Sequence, residues 1–170
     1  FAVMKTTSSF LVAAAAALTL ASAPAAHAIE AEAIRCADFL GHPDNLPLPE
    51  VFKLSKFKFQ DRSGGWAPFV NVFTDLIGQP AHGMQFDLRG LRISPPGGSV
   101  SVELRLGAFA GVGLQIEAFD AAGGLQDALF LPNDSIMHTV TLAAATLPIT
   151  LVQLKGGDNE GIVNWVCATR

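Results

Sequence analysis

The middle of the chain, residues 99–119, alternates apolar and polar side chains almost without interruption. A period of two is typical of a β-strand with one buried face and one solvated face. Three glycines, Gly107, Gly111 and Gly113, divide the stretch into two such strands. We therefore predict two antiparallel strands, joined by a glycine-rich connection and paired at the centre of a sheet.

Short stretches with the same alternation recur along the rest of the chain. They fall at residues 33–39, 51–59, 68–73, 84–88, 91–93, 125–131, 138–142, 149–154 and 162–167. Turn signals separate them about every 8–12 residues, and residues 74–83 read as a long loop. Helical periodicity is missing after residue 28. The sequence predicts an all-β fold, an antiparallel β-sandwich or jelly roll, in a single domain.

The stretch 51–59 changes phase in its middle. Phe52 and Leu54 lie on one parity, whereas Phe57 and Phe59 lie on the other. A β-bulge adds one residue to a strand and would return all four side chains to the same face. We therefore predict a bulge near Ser55.

The first residues have the pattern of an export signal. Lys5 follows Met4, residues 10–20 are apolar and rich in alanine, and Ala26-His27-Ala28 has the small-x-small pattern of a cleavage site. A membrane anchor is the alternative, but the apolar part is shorter than the roughly 20 residues that span a bilayer. We predict a signal peptide over residues 1–28, with extra residues before Met4. The domain at residues 29–170 would be secreted, periplasmic or extracellular, without membrane insertion after cleavage.

The two cysteines lie near the two ends of residues 29–170. In an oxidising compartment Cys36 and Cys167 are expected to form one disulfide, although two free buried thiols are the alternative. Bridged cysteines need Cα atoms about 5.5 Å apart, so the first and last strands are predicted to be neighbours. Trp165 has the same parity as Cys167 and is expected to pack around the bridge.

The charge balance argues against two classes of partner. The chain has 11 basic and 15 acidic residues, for a net charge of −4. Nucleic-acid binding and docking on anionic lipid both favour a basic protein. One local exception is the basic cluster of Lys53, Lys56, Lys58 and Arg62. It is either a solvated strand face that discourages edge-to-edge pairing or a surface for a polyanion.

The order of these elements resembles a known architecture. The alternating strands, the passage QIEAFDAAGG at residues 115–124 and the closing IVNWVC are similar to secreted jelly-roll domains of the galactose-binding and carbohydrate-binding-module type. The resemblance covers residues 29–170. It implies a non-catalytic module that binds a carbohydrate or a cell-surface polymer at its loops or on a sheet face, and a structural calcium ion. The chain contains no tyrosine, a residue frequent in sugar-binding platforms.

Trp66 is the first candidate for binding such a ligand. It follows three small residues, and an exposed indole there would stack on the apolar face of a sugar; a plug at the rim of the core is the alternative. Asn71, Asp75 and His82 supply polar groups close to it in sequence. We predict a ligand site formed by these four residues.

Acidic residues near both ends of the domain suggest a metal site. Glu30 and Glu32 precede the first strand, and Asp158, Asn159 and Glu160 precede the last. If the disulfide holds these strands side by side, the oxygens could converge, and Ca²⁺ binds 6–8 oxygens at about 2.4 Å. The alternative is a tight turn at 157–159, because Gly, Asp and Asn tolerate left-handed backbone angles.

Signatures of catalysis are missing from the sequence. The nucleophile elbow, the P-loop and the dinucleotide fingerprint are all absent, and the histidines are solitary. The carboxylates of Asp87, Glu103, Glu117 and Asp120 are the candidates for an acid–base pair in a hydrolase. We predict a non-catalytic protein. A self-associating structural or adhesive surface protein, a homo-oligomer through its apolar faces, is the alternative, because 50% of the residues are hydrophobic.

Overall fold

Twelve β-strands make up the regular structure of the part of the chain that the computed structural model describes, residues 33–62 and 67–170. They are β1 (Ile34–Asp38), β2 (Val51–Leu54), β3 (Phe57–Asp61), β4 (Phe69–Thr74), β5 (Pro80–Phe86), β6 (Leu91–Ser94), β7 (Ser101–Ala108), β8 (Gly113–Phe119), β9 (Leu125–Pro132), β10 (His138–Ala143), β11 (Leu151–Gly156) and β12 (Gly161–Thr169). Across these ranges, no helix has the length and apolar character that crossing a membrane requires. The signal-peptide prediction for residues 1–28 lies outside the described residues.

The strands form two antiparallel sheets that pack face to face. Sheet A has the order β10-β7-β12-β5-β4, with β1 also paired to β12, and sheet B has the order β2-β3-β6-β11-β8-β9. The inward side chains of both sheets form one core, with Phe39, Phe52 and Phe59 at one end. The ring centroids of Phe52 and Phe59 are 5.0 Å apart, and those of Phe39 and Phe59 are 5.5 Å apart. The predicted antiparallel β-sandwich is confirmed.

The predicted pairing of the two central strands is wrong. β7 lies between β10 and β12 in sheet A, whereas β8 lies between β11 and β9 in sheet B. Both strands have the expected buried face, since Leu104 and Ile116 are fully buried between the sheets. Alternation tells which side chains point inward, but it does not tell which strand lies alongside. The glycine-rich connection therefore crosses from one sheet to the other instead of closing a hairpin.

The phase change at residues 51–59 is a hairpin turn, so the predicted bulge is wrong. Ser55 and Lys56 both have positive φ, 48° and 73°, between β2 and β3. Two left-handed residues in a row characterise the type I′ turn of two-residue hairpins. The register pairs Phe52 with Phe59, and all four apolar side chains do face the core.

The long loop predicted at residues 74–83 is shorter than expected, because β5 begins at Pro80. Gly83 favours a loop when the sequence is considered alone, since glycine is uncommon inside strands. A Cβ at this position would overlap the carbonyl of Val163 on the neighbouring β12. Glycine is required here by the close approach of two strands and does not mark a turn.

The disulfide joins the first and last strands, as predicted. Cys36 and Cys167 face each other across β1 and β12, with their Cα atoms 4.0 Å apart. The bridge lies on the outward face of sheet A, where Cys36 is exposed. Trp165 is on the same face, half-buried, opposite Arg105 of β7.

Candidate functional site

Three outward side chains form a row across the end of sheet B. Lys155 of β11 lies opposite Gln115 of β8, and Gln115 lies opposite Phe130 of β9. They point outward because their neighbours along each strand, such as Leu114 and Leu154, are fully buried in the core. The period of two therefore places an ammonium, an amide and an aromatic ring side by side on one surface.

Glu117 holds two members of this row in place. Its carboxylate accepts a hydrogen bond from Lys155 Nζ at 2.9 Å through Oε2 and one from Gln115 Nε2 at 2.8 Å through Oε1. The side chain of Glu117 is only 14% exposed, compared with 43% for that of Lys155. A carboxylate shielded in this way fixes the orientation of both partners.

The row borders a hollow of about 500 Å³, called here the Phe130 groove. Its lining residues are Val112, Gly113, Gln115, Ala128, Leu129, Phe130, Lys155 and Gly156. Phe130 is 60% exposed, so that much of its ring is open to solvent. The volume lies in the range of about 300–1,000 Å³ that is typical of small-molecule sites.

Two glycines create the space in the groove. Gly113 has φ 126°, and a Cβ there would meet Phe130 Cζ at 2.9 Å and overlap the Leu131 carbonyl. Gly156 has φ 97°, and a Cβ there would overlap the carbonyl of Gly113. Side chains other than hydrogen are therefore strained at both positions. Because neither glycine carries a side chain, the backbone at these two positions is not covered beside the ring of Phe130.

The groove combines the two kinds of contact that a saccharide requires. The open face of Phe130 can cover the C–H groups of a sugar ring. The Gln115 amide and the Lys155 ammonium, which both line the groove, can exchange hydrogen bonds with hydroxyl groups. Few, fixed polar groups beside an apolar surface are typical of sites that orient a small ligand.

A second, smaller cleft lies on the outward face of sheet A, with a volume of about 220 Å³. Phe73 and Phe109 meet edge to face there, with ring centroids 4.5 Å apart. Asn71 Nδ2 donates to Gln85 Oε1 at 2.6 Å, and Gln85 Nε2 donates to the carbonyl of Asn159 at 2.7 Å. Protein groups thus already occupy much of the hydrogen-bonding capacity of the two amides.

The three predicted ligand residues that the structure describes do not line one common hollow. Trp66 lies outside the described residues. Asn71 lines the small cleft on the outward face of sheet A. His82 pairs with Val72, the residue after Asn71, and therefore lies on the opposite face of sheet A from Asn71. Asp75 is in the turn between β4 and β5. The four-residue ligand site stays a prediction.

Asp75 stabilises its turn and the neighbouring loop. Its carboxylate accepts hydrogen bonds from the backbone amides of Gln79 at 2.7 Å, Ile77 at 3.2 Å and Met137 at 3.1 Å. Burial acts to raise the pKa of Asp75, but these amides and the charge of Arg105 together hold the pKa below its usual value. A carboxylate used in this way is a structural acceptor.

The predicted metal ligands fall into two groups. Glu30 and Glu32 lie outside the described residues. Asp158 and Asn159 are the two central residues of a tight turn, with φ 44° and 70°. The amide of Glu160 closes the turn by donating to the Gly157 carbonyl at 2.8 Å. The turn expected as the alternative is therefore present, although it joins strands of opposite sheets.

The surroundings of this turn show how its oxygens are used. Asn159 accepts from Gln85 through its carbonyl and from the amide of Leu88 through Oδ1, the latter at 3.3 Å. β1 begins opposite Thr169, at the other end of β12 from the turn. Within residues 33–62 and 67–170, no three His, Cys, Asp or Glu side chains are grouped so that they could hold a metal ion. The calcium site stays a prediction.

Sequence reasoning missed the Phe130 groove. Phe130 stands between Leu129 and Leu131, so both parities of β9 are apolar there and neither is marked as outward. The alternation in β8 does identify Gln115 and Glu117 as outward side chains. It does not identify which strands lie beside β8. Only the register of β9 against β8 reveals that the aromatic ring lies beside the amide.

Comparison with known proteins gives matches to solved structures alone. Searches found no matching family model and no matching curated protein. The C-terminal family 6 carbohydrate-binding module of LamC, a marine laminarinase from Zobellia galactanivorans, is 15% identical with a TM-score of 0.43, covering 81% of this chain and 100% of that one. The chain is similar to carbohydrate-binding modules.

Two further family 6 modules are similar to the chain. The module of Cellvibrio mixtus lichenase 5A, solved with cellotriose, is 15% identical with a TM-score of 0.37, covering 61% of this chain and 86% of that one. The Clostridium stercorarium module, solved with cellobiose, is 12% identical with a TM-score of 0.35, covering 65% and 91%. The β-sandwich assignment itself rests on the two sheets described above.

Proposed function

We propose that this chain is a non-catalytic module that binds a carbohydrate or cell-surface polymer in the Phe130 groove. The observation that carries the proposal is the exposed ring of Phe130 beside the amide of Gln115 and the ammonium of Lys155. Glu117 orients both polar groups before any ligand arrives. A ligand therefore meets an ordered surface, and less conformational entropy is lost on binding.

The expected contribution of the ring can be estimated. Covering one face of a phenyl ring removes roughly 60 Å² of apolar surface from water, which is worth about 1.5 kcal/mol at about 25 cal/mol per Å². That energy corresponds to about a tenfold change in the dissociation constant. Phe130→Ala should therefore weaken saccharide binding about tenfold.

Isothermal titration calorimetry on purified variants tests this proposal. Cellobiose and cellotriose, with which two of the similar modules were solved, are the first probes, followed by a glycan array. Leu125→Ala is the matched control, because Leu125 is 56% exposed on the same strand but does not line the groove. Equal affinities for Phe130→Ala and the unmodified protein would contradict the proposal.

A second candidate function is self-association through β9. This strand is one of the two edges of sheet B. Its Leu125 and Phe130 are 56% and 60% exposed, and the nearby Val112 is 85% exposed. Exposed apolar side chains on an unpaired edge favour pairing with another copy. Sedimentation velocity separates the two functions. A dimer that Phe130→Ala dissociates would support self-association, whereas a monomer that binds glycans supports the binding module.

Export and calcium binding complete the proposal. The signal peptide predicted at residues 1–28 would place the module where cell-surface polymers occur, and mass spectrometry of exported protein beginning at Ile29 would support this. A calcium ion would stabilise the module if Asp158, Asn159 and Glu160 recruit further ligands. Titration with Ca²⁺ after EDTA treatment, with neither heat nor a change in melting temperature, would remove the calcium ion from the proposal.

A further inference from the structure

We infer that the polymer bound by this face of the protein is an anionic polysaccharide. Four neighbouring strands of sheet B each carry one cation on the outward face, and the row ends at the Phe130 groove. These cations, called here the basic row, are Lys53 on β2, Lys58 on β3, Arg92 on β6 and Lys155 on β11. The inference rests on the proposed function, because it requires that a saccharide binds in the Phe130 groove.

The outward direction of the basic row follows from the core. Lys58 stands between Phe57 and Phe59, both fully buried, and Arg92 stands between two equally buried residues of β6. Lys53 stands between side chains of β2 that pack on the same core. Since successive side chains of a strand point to opposite faces, all of these cations share the outer surface of sheet B.

The basic row has an unbalanced charge. Lys53 lies directly opposite Lys58 across β2 and β3, and like charges in this arrangement are destabilising. Glu117 is the carboxylate on the outward face of the neighbouring β8, and Lys155 already binds it. Within the described ranges, Lys53, Lys58 and Arg92 form no ion pair, and Arg92 Nε is buried without an acceptor. An anion above the row would relieve this repulsion.

Protection of a sheet edge does not explain the arrangement. β2 is an edge strand, so Lys53 alone could discourage pairing with another chain. Lys58, Arg92 and Lys155 lie on interior strands, where that protection has no role. The chain as a whole has a net charge of −4, so the positive charge of this surface is opposite in sign to that of the whole chain.

The dimensions and the neighbouring groups favour a polysaccharide over a nucleic acid. The register places the cations on a diagonal, because Lys58 lies opposite Ser94 and Arg92 lies opposite Gln153, two residues before Lys155. With strands about 4.8 Å apart and a rise of about 3.3 Å per residue, the four cations extend over roughly 20 Å, enough for successive charged sugars. Proteins that bind single-stranded nucleic acid place aromatic rings along the basic groove for base stacking. Here the aromatic side chains of β2 and β3 all face the core, and the ring of Phe130 lies at the far end of the row.

The shared chemistry of the ligand is a carboxylate or sulfate group repeated along a sugar chain. Two pairs of probes separate these sources. Polygalacturonate is compared with its fully methyl-esterified form, and dextran sulfate is compared with dextran. Each pair keeps the backbone and removes the charge. Binding is measured by biolayer interferometry at about 50 mM NaCl and repeated at higher salt, where screening weakens contacts between exposed charges.

The variant for the test is Lys53→Gln/Lys58→Gln, and its matched control is Arg35→Gln/Arg89→Gln. The control removes the same charge from exposed residues outside sheet B strands. Exposed ion pairs contribute modestly, so the first variant should bind the anionic probe about fivefold to tenfold more weakly. Removing the repulsion should leave its melting temperature unchanged or slightly higher, which excludes unfolding as the cause.

Each outcome decides between the two proposals. The inference is supported if one or both charged probes bind more strongly than the neutral match, and if this binding is weakened in the basic-row variant and in Phe130→Ala but kept in the control. Equal binding of charged and neutral probes, with loss in Phe130→Ala, overturns the inference and leaves the proposed function intact. Loss in the basic-row variant without any effect of Phe130→Ala overturns the proposed function and the inference with it. Duplex DNA bound as strongly as either charged probe would show a non-selective cationic surface and overturn the inference.

Discussion

Replacing Glu117 by glutamine tests how the groove is held together. The carboxylate accepts from Lys155 through one oxygen and from Gln115 through the other. Glutamine keeps the shape but has a single acceptor oxygen, so one of the two donors loses its partner. Hydrogen bonds to charged groups contribute about 1.5–3 kcal/mol, and the partial exposure of the pair reduces this to about 1 kcal/mol of unfolding free energy.

The loss should be visible in stability and in binding. A change of about 1 kcal/mol corresponds to a decrease of about 3 °C in the melting temperature of a domain of this size. Binding of a saccharide in the groove should weaken as well, because Gln115 and Lys155 are no longer oriented. Glu103→Gln is the matched control, since Glu103 is exposed on the outward face of sheet A. Differential scanning calorimetry that gives the same melting temperature for both variants would contradict this role of Glu117.

Three other predictions concern the sandwich itself. Phe59→Ala should lower the unfolding free energy in urea by about 3–5 kcal/mol, because the ring is fully buried; a loss below 1 kcal/mol would contradict the described core. Replacing Cys36 and Cys167 together by alanine releases a loop of 131 residues and should cost up to about 5 kcal/mol in the same assay; unchanged stability would contradict the bridge. The pKa of Asp75 is lowered in the folded protein, so its contribution is complete above the unfolded value of 3.8 and is lost as pH falls further. Melting temperature should therefore depend less steeply on pH below 3.8 in Asp75→Asn, and equal slopes would contradict this role.

The sequence was sufficient to predict elements governed by local alternation. The buried faces of β7 and β8 were predicted because each has an unbroken period of two. The proximity of the first and last strands followed from the two cysteines alone. These features depend on short-range pattern or on a covalent restraint, which a single sequence shows directly.

Features that depend on contacts distant in sequence could not be predicted in this way. The partners of β7 and β8 are chosen by strands far away in the chain, so alternation left their sheets undetermined. Gly83 resembles a turn residue until β12 is placed beside it. The Phe130 groove combines residues of three strands with the loop before β8, and no single stretch of sequence contains the combination.

Chemical-shift mapping shows directly whether the Phe130 groove holds a saccharide. The ¹⁵N-labelled protein is titrated with cellotriose and with a galacturonate oligosaccharide while backbone amide signals are recorded. We expect at least one of these saccharides to shift the signals of the groove residues and to leave Asn71 unaffected. The groove residues are Gly113, Gln115, Phe130, Lys155 and Gly156. Shifts confined to the outward face of sheet A, or none with either saccharide, would contradict this expectation.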